Sequence, residues 1–232
     1  MGFCFLFLYT FVRKGVSMNV QNHITRLSRY KSVLVRMHAI GIARVHADTL
    51  AEAIGSTPAQ VRKDFSIFGI RGQKRGGYRI HDLIEKIREI LGLDQTVPVI
   101  LAGYGNLGKA LSLHPGFQKG KIRIAAAFDP LAETPISNTA VPVYPPKKMD
   151  EYIPKNGIRH AILAVPDTVA QDVFDHLYQL GIRGFMSFSS IPLRVPEDAF
   201  VNQVDLESEL ETVIFYTKNR ENNGKKASAP AS

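Results

Sequence analysis

A chain of 232 residues with 45% hydrophobic side chains can bury a core and has room for one large domain or two small ones. Its single cysteine, Cys4, excludes an intrachain disulfide framework and a cysteine-based zinc site, and a reducing, cytoplasmic setting follows as the default. The net charge of +8 is unevenly placed: residues 18–94 hold 13 Lys and Arg against 7 Asp and Glu, whereas residues 95–232 hold 14 of each. An excess of cations confined to one segment suits a polyanion-binding surface, because each phosphate contact releases condensed counterions. A solvated, unevenly charged face is the alternative.

The opening MGFCFLFLYTFVRKG places its charges after the apolar run, the reverse of a secretory signal. About a dozen apolar residues fall short of the roughly 20 that span a bilayer. Leu6 also stands where a myristoylation signal needs Ser or Thr. Residues 1–23 are therefore taken as an extension in which translation begins at Met18, with a short membrane-associating segment as the alternative. No membrane partner is expected.

From Ile24 to Ile40 the residues Ile24, Leu27, Leu34, Met37 and Ile40 recur at the spacing of an amphipathic helix, and Gly41 ends it. A second helix is predicted over Asp48 to Ile54, stopping at Gly55. Thr57-Pro58-Ala59-Gln60 then forms a capping box with proline at the first helical position, opening a third helix to Phe68. Val61, Phe65 and Phe68 lie on one side of it, and Arg62, Lys63 and Ser66 are turned away. Two helices joined by a tight Gly-containing turn make a helix-turn-helix. The glycines between Arg71 and Tyr78 suit a hairpin tip, with Tyr78 and Ile80 on a returning strand, so this stretch reads as a wing. A fourth helix, Asp82 to Leu91, completes a predicted winged-helix domain over 24–92.

After a linker at Gly92–Val97 the pattern changes. Val97 to Ala102 and Ile122 to Phe128 are apolar throughout, as a parallel strand covered on both faces requires. Further strands are predicted at 141–144, 161–165, 184–188 and 200–204, with helices near 147–155 and 167–180. Strand and helix alternate, predicting a Rossmann-like doubly wound parallel sheet over 96–205. Leu206 to Asn219 is a last amphipathic helix, and the polar residues 220–232 are expected to be disordered.

Gly103-Tyr104-Gly105-Asn106-Leu107-Gly108 follows a predicted strand, opens a helix, and precedes Asp129 at the end of the next strand. Gly103 permits a tight turn, Gly105 lets backbone approach a pyrophosphate, Gly108 allows close helix packing, and the helix N-terminus supplies N–H donors. Asp129 suits both ribose hydroxyls of NAD and repels the 2′-phosphate of NADP. A Gly-rich structural turn is the alternative. Arg62 and Lys63, in the first turns of the third helix, sit where a recognition helix aims at base edges. Ser66 reaches a base or a phosphate, and Lys74 and Arg75 in the wing track the DNA backbone or minor groove. His114, His160 and His176 have no visible carboxylate partner and are taken as structural or surface residues, so no catalytic residue and no metal site are assigned.

These residues together resemble the redox-sensing repressor family, Rex. Ala59 to Ser66 with Phe68-Gly69 is similar to its recognition-helix signature, and Gly76-Gly77-Tyr78 to the end of its wing. His114 to Phe117, Ala127 to Asp129, Ala161 to Pro166, Gly181 to Gly184 and Val204 to Leu206 continue the likeness, which runs from about Ile24 to Asn219. Ser32 stands where the family carries an Arg that engages the residue matching Asp205, and Ser187 to Ser190 replace its usual residues. The resemblance implies a homodimer with a domain-swapped C-terminal helix, here 206–219. It also implies a repressor of a palindromic double-stranded DNA operator that NADH releases and NAD⁺ permits to bind. Two rivals remain: a dehydrogenase with a fused DNA-binding domain, and a regulator reading another adenylate such as coenzyme A or ATP.

Overall fold

The computed structural model describes residues 18–73, 76–132 and 139–227, and the chain divides into two units, Met1–Thr96 and Val97–Ser232.

In the first unit α1 (Met18–Ala39) starts earlier than the apolar stripe suggests, since no Gly or Pro interrupts it after Met18. Its buried face carries Leu27, Tyr30 and Leu34, whereas Ile40, counted in the stripe, lies past the helix end and is exposed. A short strand β1 (Arg44–Val45) leads into α2 (Ala47–Ile54), which ends at Gly55 with left-handed φ and ψ of 66° and 42°. The Thr57 hydroxyl accepts from the Gln60 N–H at 3.2 Å and caps α3 (Pro58–Ile67). Only half of the capping box forms, because the Gln60 side chain turns to Asp64 instead. Strand β2 (Tyr78–Arg79) pairs antiparallel with β1, Val45 opposite Tyr78, and makes the base of the wing. The tip residues Lys74 and Arg75 lie outside the described residues. Helix α4 (Ile80–Ile90) closes the core with Ile80, Leu83, Ile84 and Ile87 against α1, α2 and α3.

The second unit is a six-stranded sheet, all parallel, in the order β5-β4-β3-β6-β7-β8. Its strands are β3 (Val97–Ala102), β4 (Ile122–Phe128), β5 (Val143–Tyr144), β6 (His160–Leu163), β7 (Gly184–Ser187) and β8 (Phe200–Gln203). Ile100 and Ala102 point to one core and Val99 and Leu101 to the other, so β3 is covered on both faces as its unbroken apolar run requires. Helices α5 (Asn106–Leu113), α6 (Pro115–Gln118), α7 (Met149–Lys155) and α8 (Asp167–Gln179) connect the strands. Because β6 lies beside β3, the chain leaves β3 in opposite directions on its two sides and opens a crevice at the strand ends.

Helix α9 (Leu206–Ala227) corrects one expectation. The helix predicted to stop at Asn219 continues through residues expected to be disordered. It does so across Asn222, Asn223 and Gly224, which are poor helix formers, and no proline intervenes before Pro230. Residues 228–232 lie outside the described residues, as do residues 1–17.

Candidate functional site

The glycine turn is built from backbone geometry. Gly103 adopts φ +92°, its N–H donates to the Phe128 carbonyl at 2.8 Å, and a Cβ there would run into the backbone of Ala164. A Cβ on Gly108 would strike the Gly103 carbonyl, which explains why α5 packs so close to the turn. Gly105 differs from both: it has ordinary φ, and nothing lies within 4 Å of a Cβ placed on it. It caps α5 without a side chain, and the first turn of α5 carries no acid. The N-terminal N–H groups of α5 therefore have neither a side-chain cap nor an acid within their own turn.

Helix α8 ends differently. Asp167 stands in its first turn and accepts from both the Ser190 N–H at 3.0 Å and the Ser190 hydroxyl at 2.9 Å. Those bonds from Ser190 hold its carboxyl below the usual range. The positive end of α8 thus meets a carboxylate already in place, whereas the first turn of α5 carries none.

A cleft of about 840 Å³ opens at the ends of β3, β4 and β6. Gly103, Gly105, Asn106, Leu107 and Asp129 line it, bringing together five of the predicted residues. Its walls are otherwise mostly apolar, from Phe128, Met149, Val165, Val169 and Phe188 among others, and among the described residues none that lines it is Lys or Arg. Asp129 is fixed by the backbone: Oδ2 accepts from the Tyr104 N–H at 2.7 Å and Oδ1 from the Leu131 N–H at 2.9 Å. An ionised carboxylate keeps further lone pairs for a ligand.

Two predicted residues stand apart from the cleft. The Tyr104 ring packs in the cluster with Leu111 and Phe117, its hydroxyl 3.4 Å from Ser112 Oγ, and Gly108 serves helix packing. The walls from the turn after β6, Val165 and Pro166, and from α7 and α8 went unassigned in the sequence. Their signal is the topological rule that a ligand crosses the ends of the first and fourth strands of such a sheet.

The histidines are also placed. His114 stands between α5 and α6, not inside α5, and its Nδ1 accepts from the Gly116 N–H at 3.1 Å. His160 opens β6, where burial and then Arg159 hold it below the ordinary imidazole value. His176, taken as unpaired, has Nε2 2.6 Å from Asp150 Oδ1 on α7, a partner 26 residues away that no local motif reveals. That pair is solvent-exposed at the cleft rim.

In the first unit α3 buries Val61 and Phe65 completely and exposes Arg62, Lys63 and Ser66. The nearest acid to Arg62 is Asp48, with Oδ1 3.9 Å from Nη1 and both side chains more than half exposed, so the guanidinium stays available. Arg44 braces the wing base, donating from Nε to the Gly76 carbonyl at 2.7 Å and from Nη2 to Gln73 Oε1 at 2.5 Å. Gly77 takes φ +61° beside the Val45 carbonyl, where a side chain would collide.

Asp64, wholly buried on α3, is a further group to which the sequence pattern assigned no role of its own. It accepts from Arg26, Tyr30 and Gln60, and His23 Nδ1 lies 2.8 Å away. These bonds hold its carboxyl down at about 2 although burial pushes the other way.

Residues 21–66 match the family model described as a putative DNA-binding protein N-terminus, and residues 94–191 match a CoA binding domain. The redox-sensing transcriptional repressor Rex of Pelotomaculum thermopropionicum is 39% identical over 199 residues, covering 85% of this chain and 93% of its own. The chain belongs to the Rex family. Crystal structures of the Rex-family repressor RSP agree with the fold. RSP with β-NAD⁺ and operator DNA gives a TM-score of 0.79 at 31% identity, covering 91% of this chain and 98% of RSP. RSP with β-NADH gives 0.78 at 32%, covering 93% and 100%. As a Rex protein the chain is a redox-sensing transcriptional repressor with a DNA-binding N-terminal domain and a Rossmann-like second domain. Its Rex relatives are named as repressors, which sets aside the dehydrogenase rival.

Proposed function

We propose that this Rex protein binds NADH and NAD⁺ in the cleft of its second unit and double-stranded operator DNA through α3 and the wing, NADH releasing the DNA. The observation that carries the nucleotide assignment is the open cradle at Gly105, beneath an uncapped helix N-terminus and beside Asp129. The α5 N–H groups and Asn106 hold the pyrophosphate, Asp129 accepts the ribose hydroxyls, and a lining without Lys or Arg among the described residues disfavours the extra phosphate of NADPH. When bound, the nicotinamide supplies the redox difference that is sensed. RSP, similar over nearly its whole length, is described with β-NADH and with β-NAD⁺ plus operator DNA.

On the DNA side, Arg62 and Lys63 read base edges and Ser66 reaches a base or phosphate, while Lys74 and Arg75 contact the backbone from the wing. The protein acts as a cytoplasmic homodimer on a palindromic operator, its C-terminal helix 206–219 exchanged between copies. The exposed apolar side chains Leu210, Val213, Ile214 and Phe215 on α9 support a helix that needs a partner. Among the described residues no helix is long and apolar enough to cross a membrane. Coupling takes the form of two dimer states with different affinities for NADH. Asp205 caps α9 through Oδ1, accepting from the Glu207 N–H at 3.1 Å, and Ser32 Oγ donates to the Ser28 carbonyl at 3.0 Å. The coupling path of this chain therefore does not use an Arg at position 32.

A mobility-shift titration on a palindromic duplex tests the proposal. NADH should release the duplex while NAD⁺ leaves it bound. Release by ATP or coenzyme A without an effect of NADH would instead favour the other adenylate reading.

A further inference from the structure

Helix α3 exposes one large apolar side chain, which has no charge or hydrogen bond to give it a role. Ile67, in its last turn, is 52% exposed, whereas the other large apolar residues of the helix, Val61 and Phe65, are completely buried. Residues four apart on a helix lie one above the other, so Ile67 extends the line begun by Lys63, with Ser66 beside it. It therefore shares the solvent face of the three side chains proposed to meet DNA. A lone exposed isoleucine is ordinary on a protein surface. On the cation-flanked face of a helix proposed to enter a groove it has one matching chemistry, because thymine alone presents an apolar group, the C5-methyl, at the major-groove edge. Isoleucine has no donor or acceptor to satisfy there, and its branched side chain is stiff.

We propose that Ile67 packs against a thymine methyl in the major groove and specifies dT at the half-site position reached by the last turn of α3. The inference rests on the assignment of α3 as the recognition helix. The neighbouring cations Arg62 and Lys63 supply charge complementarity to the flanking phosphates. They also argue against an apolar protein partner on this face.

The full-length protein is first used to select its preferred duplex from a pool with randomised palindromic half-sites. Each dT of that duplex is then replaced by dU, which deletes only the methyl group. One such change in each half-site should weaken wild-type binding by about fourfold per methyl, the worth of one buried methyl-sized group. The Ile67→Ala variant, which keeps a good helix former at an exposed position, should bind the dT and dU duplexes equally, and Ile67→Val should retain the preference. Arg62→Ala should weaken binding yet keep the dT-over-dU ratio. A wild-type chain indifferent to every dU replacement overturns the inference while leaving α3 as the recognition helix, and so does an Ile67→Ala variant that still prefers dT. Failure of the wild-type chain to enrich any duplex would overturn the DNA-reading assignment itself, and the inference with it.

Discussion

The guanidinium of Arg26 donates twice to the carboxylate of Asp64, from Nε at 2.6 Å and from Nη2 at 2.8 Å, joining α1 to α3 across 38 residues of sequence. Tyr30 adds its hydroxyl at 2.9 Å and Gln60 its amide at 2.8 Å. The carboxylate is inaccessible to water, so its lone pairs are answered by protein or not at all. Removing it leaves a half-buried cation and a buried phenol without their acceptor. Asp64→Ala should therefore destabilise the first unit by about 3–5 kcal/mol. Urea unfolding of the full-length protein checks this, the loss appearing in the transition of the first unit. Because Asp64 and Lys63 are adjacent on α3, DNA affinity should fall as well.

The same network sets an acid limit. Asp64 titrates at about 2 in the folded protein, below the unfolded carboxylate. A lowered folded value means that its contribution is complete above about pH 4 and is lost as pH falls toward the folded value. Tyr30 runs the other way: burial first, then the bond to Asp64, raise its phenol. Its contribution is complete below about pH 10 and is lost only as pH rises beyond that. Thermal melts at a series of pH values should show a decline below about pH 4 that is shallower in Asp64→Asn. Tyr30→Phe should leave that acid limb in place.

How far the fold was legible follows from which forces act locally. The apolar runs of β3 and β4 and the signals at Thr57, Gly55 and Gly103 are short-range, and the structure places elements at each. The Arg26–Asp64 link and the His176–Asp150 pair join residues 38 and 26 apart, and nothing in the spacing of one partner announces the other. Tyr104 looked like a cleft residue because it sits inside the glycine motif. Its ring instead follows the apolar cluster on the far side of the turn, which depends on where Leu111 and Phe117 pack. The end of α9 is not legible either, because Asn222, Asn223 and Gly224 are weak helix formers and the helix nevertheless runs to Ala227.

The three glycines of the turn predict two separable outcomes. Gly103→Ala needs a left-handed backbone and drives a Cβ into Ala164, so it should destabilise the second unit and abolish NADH binding together. Gly108→Ala meets the Gly103 carbonyl and should do the same, with α5 displaced. Gly105→Ala has free space and ordinary φ, so stability should stay within about 0.5 kcal/mol of wild type. Its methyl occupies the cradle proposed for the pyrophosphate, and NADH affinity should fall at least tenfold. Calorimetric titration paired with thermal melts separates these cases. An unaffected NADH affinity in Gly105→Ala would move the phosphates away from this turn.

Arg62 supplies the last test, since its only nearby acid is weakly placed. An exposed pair at 3.9 Å contributes little, so Asp48→Ala should leave stability within about 0.5 kcal/mol of wild type. It should strengthen DNA binding slightly by removing a competing anion. Arg62→Ala should cost about 1–3 kcal/mol of binding and relax the preference at one base-pair position per half-site, as a bidentate contact to guanine requires. Binding measured on duplexes varied at each position, at two salt concentrations, distinguishes this from phosphate contact. Uniform weakening on all duplexes, with the salt slope reduced by about one per copy, would assign Arg62 to the backbone and leave Lys63 as the base-reading cation of α3.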